Sequence, residues 1–80
     1  MIRVLLFAHL RTVCGVTEIS VSPGDAHTGD ALWAHLVARH PALVDIGPSV
    51  RLAVNGAFVP ITSSLKSGDE VAFIPPVSGG

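Results

Sequence analysis

Covalent staples are missing from this chain. Its 80 residues contain one cysteine, Cys14, so no internal disulfide can form. A lone thiol also argues against a secreted disulfide framework and fits a reducing compartment. One Cys and four scattered His offer no recognised zinc spacing, so no metal site is expected. Charge is scarce too. Charged residues make up 14% of the chain, against about 25% in an ordinary soluble domain. Only five residues are Lys or Arg, and the net charge is −1. Phosphate binding needs a basic footprint, so nucleic acid is not an expected partner. No run reads as a membrane span or a signal peptide. The opening MIRVLLFAHLR is apolar but lacks a small-residue cleavage site, and so short a chain needs it as a strand. A cytoplasmic protein with no membrane partner is expected.

What is present is apolar. Hydrophobic residues reach 49% in one domain near the lower size limit for a self-sufficient core. Such a globule cannot hide all of that surface. Part of it should stay exposed, and large exposed apolar patches mark partner surfaces.

Residues 2–8, IRVLLFA, read as a central strand buried on both faces. The stretch from His9 to Gly15 should turn the chain, and TEISV (17–21) should return as an antiparallel partner. Ser22-Pro23-Gly24-Asp25 is a turn cluster. Thr28 then N-caps a helix, with Asp30 in its first turn. Leu32, Trp33, Leu36 and Val37 form its apolar stripe, and Pro41 stops it at or before His40. Residues 42–49 read as a loop. RLAVN (51–55), the turn signal Asn55-Gly56, and AFVP (57–60) form a hairpin, with Pro60 limiting the return strand to an edge. A turn at Ser67-Gly68-Asp69 leads into EVAFI (70–74). The order ββαβββ predicts an α+β domain with one main helix covering a mixed sheet of four to five strands. Its two most apolar strands, the first and last, should lie parallel at the centre. That arrangement is a β-grasp, the ubiquitin-like fold, expected over residues 1–74.

No nucleophile–base–orienter set is visible. Cys14 reads as a small apolar residue. His35 and His40 are five apart, which separates them by about 140° around a helix and denies them a shared ligand face. Asp69 and Glu70 would point to opposite sides of a strand. Trp33 belongs to core packing. Phe58, beside the Asn-Gly turn, is a candidate contact residue.

The ending, PPVSGG, is harder to assign to packing. Gly79 and Gly80 bury nothing. Pro75-Pro76 favours extended polyproline II geometry and discourages further pairing. Six residues reach roughly 20 Å at full extension. Residues 75–80 are therefore expected to form a tail, flexible beyond its stiff root, whose tip is thin enough to thread a narrow channel in another protein. The terminal carboxylate of Gly80 is the best reactive group in the chain. Adenylation by ATP makes it a mixed anhydride, and a sulfur donor that displaces AMP leaves a thiocarboxylate.

The opening VLLFAHLR, AVNG at 53–56 and above all SGDEVAFIPPVSGG at 67–80 resemble the MoaD family, the small subunits of molybdopterin synthase among the ubiquitin-like sulfur carriers. The resemblance covers the whole chain. It implies that Gly80 is adenylated and sulfurated by a ubiquitin-activating-like adenylyltransferase fed by a sulfur donor system. It implies that Pro75, Pro76, Val77, Ser78 and Gly79 enter a channel in the large synthase subunit. There the thiocarboxylate donates sulfur to cyclic pyranopterin monophosphate, forming the molybdopterin dithiolene. The chain itself then has no catalytic machinery and binds no cofactor, and ATP is used by the activating partner. Phe73 lies within the resemblance and is assigned to packing or interface. Three rival expectations share the fold. They are a sulfur carrier for another pathway such as thiamine thiazole synthesis, a ubiquitin-like protein modifier, and a plain binding module.

Overall fold

The computed structural model describes residues 1–45 and 50–74. Five strands form one sheet in the order β2-β1-β5-β3-β4. They are β1 (Ile2–Leu6), β2 (Glu18–Val21), β3 (Arg51–Val54), β4 (Ala57–Val59) and β5 (Glu70–Ile74). β1 and β5 run parallel at the centre, with Val4 opposite Val71 and Leu6 opposite Phe73. Every other neighbouring pair is antiparallel. The β-grasp expectation therefore holds, including its central parallel pair.

The main helix, α2 (Gly29–Arg39), starts where its cap predicts. The Thr28 hydroxyl accepts the Ala31 N–H. The Asp30 carboxyl is held below its usual range, first by the Thr28 hydroxyl donating to it. The helix closes at His40, before Pro41. Leu32 and Leu36 are fully buried, while Trp33 and Val37 are half-buried. They pack on Ile2, Val4, Leu6, Leu52, Val71 and Phe73 from the inner face of the sheet. Among the described residues no helix is long and apolar enough to cross a membrane.

Three local expectations are corrected. The segment after β1 is a helix, α1 (Ala8–Cys14), rather than a simple turn, so the order becomes βαβαβββ. Leu10 is fully buried, with Val13 and Cys14 packed against the core, which is the i, i+3, i+4 spacing of a helix face. Gly15 ends it at φ 75°, a left-handed cap that donates its N–H to the Arg11 carbonyl. Next, residues 41–45 form a 3₁₀ turn that buries Leu43, where a loop was expected. The Gly47-Pro48 part of that loop lies outside the described residues. Finally, β1 is buried on one face only. It ends at Leu6, with Arg3 exposed and Leu5 half-buried, because both helices cover the same side of the sheet. The opposite face is open.

Candidate functional site

The tail residues Pro75, Pro76, Val77, Ser78, Gly79 and Gly80 lie outside the described residues. The fold does fix where the tail begins. It leaves from Ile74, at the end of a strand with a hydrogen-bonded neighbour on each side. That placement makes the root rigid, since β5 cannot shift without breaking two ladders.

Both ends of β5 are anchored. At its exit, Phe73 is fully buried, with its ring centroid 5.0 Å from that of Trp33. Of its two expected roles, packing is the one its position serves. Asp69 stands at the entrance and is only 5% exposed. Its carboxylate accepts the Lys66 N–H at 2.9 Å and the Asn55 side-chain amide at 3.1 Å. These bonds hold the Asp69 carboxyl below the usual range, the Lys66 amide contributing most. Asn55 also accepts the Glu70 N–H at 3.0 Å, and its own N–H donates to the Glu70 carbonyl. One side chain thus ties the β3–β4 turn to the start of β5. The turn itself has positive φ at both Asn55 and Gly56, as its sequence predicts.

The open face of the sheet is ordered in rows. Glu18, Leu5, Ala72, Ala53 and Phe58 are successive register partners across all five strands. Its third and fourth members, Ala72 and Ala53, are alanines, so the row is low between Leu5 and Phe58. On the side away from the tail, Arg3 bridges Glu18 at 2.9 Å and Glu70 at 3.0 Å. Toward the tail, Arg51 is the register partner of Ile74. Its guanidinium lies 4.6 Å from the centre of the Phe58 ring. Phe58 is 61% exposed, as a contact residue must be. Phe7, next in sequence after β1, is exposed as well.

Sequence reasoning singled out Phe58 and did not place Arg51 beside it. The signal was available: a two-residue Asn-Gly turn fixes the hairpin register, and period-2 alternation then puts 51, 53 and 58 on one face. Cys14 is half-buried, and burial pushes its thiol up, away from reactive thiolate.

The described residues form a sheet with an open face of mixed character, from whose central strand the chain continues past Ile74. It has the parts for docking and presentation. The ThiS family model matches residues 4–80. The molybdopterin synthase sulfur carrier subunit of Chlamydomonas reinhardtii is 48% identical, covering 99% of this chain and 98% of that one. Among solved structures, molybdopterin converting factor subunit 1 of Pyrococcus furiosus superposes with a TM-score of 0.76 at 33% identity, covering 95% of this chain and 97% of that one. The small archaeal modifier protein SAMP1 of Haloferax volcanii superposes at 0.72 with 38% identity, covering 99% and 98%.

Proposed function

The chain belongs to the ThiS family, and on that premise we propose that it is a sulfur-carrier subunit of molybdopterin synthase. The observation that carries this reading is the end-to-end match to a relative of that name, reached independently of the β-grasp geometry. The fixed exit of the tail beside an open apolar face supports it.

In this reading the Gly80 carboxylate attacks the α-phosphorus of ATP on an activating adenylyltransferase, and pyrophosphate leaves. A donor sulfur at the sulfide level then attacks the acyl carbon. The C–S bond forms, the bond to the phosphate oxygen breaks, and AMP departs. Pro75 to Gly79 carry the resulting thiocarboxylate into the large synthase subunit, where its sulfur bonds to cyclic pyranopterin monophosphate; water then attacks the Gly80 acyl carbon, the C–S bond breaks, the sulfur stays on the pterin and Gly80 returns to a carboxylate. This chain holds no cofactor, since ATP is bound by the activating partner, and the whole exchange is cytoplasmic. Its own residues present Gly80 and supply the docking surface.

The test is intact mass after incubation with activating enzyme, ATP and a sulfur source. One oxygen replaced by sulfur, mapped to Gly80, is the expected result. Deleting Gly79-Gly80 removes that product and leaves the fold intact. Sulfur transfer that survives the deletion overturns the reading. The likeness to an archaeal modifier favours one other outcome, in which a lysine amine rather than sulfur takes the activated Gly80. Isopeptide-linked adducts in cells, with no thiocarboxylate, are its signature.

A further inference from the structure

The chain has a single side-chain amide. It contains no Gln, and its only Asn is Asn55, followed by Gly56. Asn-Gly is the pair that loses its amide most readily, because no side chain on the second residue shields its backbone nitrogen. In that reaction the Gly56 nitrogen gives up its proton and bonds to the Asn55 Cγ. The Cγ–Nδ2 bond breaks, ammonia leaves, and a succinimide ring remains. Water then attacks either ring carbonyl, the bond from that carbonyl to the Gly56 nitrogen breaks, and a carboxylate is left. One opening gives aspartate. The other gives isoaspartate, whose main chain is longer by one carbon.

The folded turn opposes the first step in two ways. Asn55 and Gly56 have φ of 51° and 87°, the left-handed pair of a type I′ turn. In that turn the Gly56 nitrogen lies nearly opposite the side chain across the Asn55 Cα–C bond, whereas ring closure needs both on the same side. The side chain is also tethered. Its Nδ2 donates to Asp69 at 3.1 Å, and its Oδ1 accepts the Glu70 N–H at 3.0 Å. Closing the ring breaks both bonds. Access of water is not the obstacle, since Asn55 and Gly56 are exposed and a side-chain carbon on Gly56 would meet nothing within 4 Å.

We propose that Asn55 is a modification site gated by the fold. It keeps its amide while the β3–β4 turn is closed on β5, and loses it to water, as ammonia, when that turn opens. The change is one-way. A carboxylate at position 55 has no proton to give Asp69, and it sets a second negative charge against a side chain that is only 5% exposed. Isoaspartate also lengthens a two-residue turn that fixes the hairpin register. Either product leaves the start of β5 untied. The inference rests on the turn and its bonds alone and is independent of the carrier reading.

The test incubates the full chain at mildly alkaline pH, folded or in guanidinium chloride. Ammonia release and the mass of tryptic peptide 52–66 follow the amide. Folded wild type is expected to react at least about tenfold more slowly than unfolded, because reaction requires a local opening. Asp69→Ala keeps the Asn-Gly pair and removes one tether. Folded, it is expected to react about threefold or more faster than folded wild type, and in denaturant at the wild-type rate. Circular dichroism confirms its fold, and the wild-type comparison stands by itself should that variant not fold. Equal rates for folded and unfolded wild type overturn the proposal, and so does an unchanged rate in folded Asp69→Ala. Asn55→Asp stands for the aspartate product, and its urea midpoint should fall below that of wild type. Adding Asp69→Asn faces carboxylate with amide again, in the opposite sense, and should recover most of the loss. Asn55→Asp as stable as wild type, or no recovery in the double variant, overturns the one-way step.

Discussion

The Trp33 indole meets the Phe73 ring edge-on, with planes inclined at 62°. This contact joins the middle of α2 to the last buried residue before the tail. It makes the helix the support for the tail root, since Phe73 is fully enclosed and Ile74 follows it directly.

Phe73→Ala should therefore cost about 3–5 kcal/mol, the usual range for emptying a buried aromatic site. Phe73→Leu should cost distinctly less, because it leaves a smaller cavity. Urea unfolding followed by far-UV circular dichroism measures both without relying on the altered Trp33 environment. A loss below about 1 kcal/mol for the alanine variant would contradict the packing described here.

Asp69 carries a pH prediction. Its carboxyl lies below the usual range in the folded chain, with the Lys66 and Asn55 bonds as the leading causes. A depressed folded value contributes stability that is present above the unfolded value, about 3.9, and is lost as pH falls through the folded one. Wild-type stability should thus decline below about pH 4 more steeply than that of Asp69→Asn, which cannot titrate there. At neutral pH the variant should already be weaker, because an amide oxygen is a poorer acceptor for the Lys66 N–H. Asn55→Ala removes the reciprocal bonds and should cost roughly 1–3 kcal/mol. Urea midpoints between pH 2.5 and 7 decide this (roughly the range of carboxylate titration). Parallel pH profiles for wild type and Asp69→Asn would remove Asp69 from the account.

These two cases mark what was legible in the sequence. Strand identities, the Thr28 cap, the Asn55-Gly56 turn and the central parallel pair could be read, because periodicity, caps and turn residues are local signals. The partners of Asp69 could not. Asn55 lies fourteen positions away, and only the sheet register brings the two side chains together. Helix α1 was lost for a related reason. AHLRTVC is short, begins at Phe7 without a side-chain cap, and owes its stability to burying Leu10. The open face was hidden because Leu5 is apolar at an uncovered position, which left Arg3 as the one polar signal in IRVLL. For the candidate site, the exposure of Phe58 could be read from the turn signal beside it. The pairing of Arg51 with Phe58 required the hairpin register.

Gly29 tests the close approach of α2 to the crossover after β4. A side-chain carbon there would collide with the Ile61 carbonyl oxygen and with Leu52 Cδ2. The backbone cannot give way easily. The Gly29 and Asp30 amides donate to the Ser63 and Ile61 carbonyls at 3.1 and 2.8 Å. Gly29→Ala should therefore destabilise by about 1–3 kcal/mol, although alanine favours helices. Gly24→Ala is the control, because its added carbon meets only the Ser22 hydroxyl at an ordinary 3.6 Å. Thermal unfolding of the two variants side by side gives the comparison. Equal midpoints would mean that the helix start has more room than the structure gives it.

The sulfur atoms already in the chain demand a control on the carrier chemistry. Exchanging oxygen for sulfur at Gly80 and adding an oxygen to Cys14 or Met1 change the mass by nearly the same amount. Reactivity separates them. A thiocarboxylate is ionised at neutral pH, whereas the Cys14 thiol is half-buried and pushed up by that burial, so little of it is thiolate. Brief treatment of loaded protein with iodoacetamide at neutral pH should alkylate Gly80 at least about ten times faster than Cys14. The Cys14→Ala variant should load sulfur as fully as wild type, and the alkyl group should map to the last residue. If Cys14 labels first, or if its replacement abolishes the mass gain, the sulfur is on the wrong atom. The tail would then have no claim to the transfer.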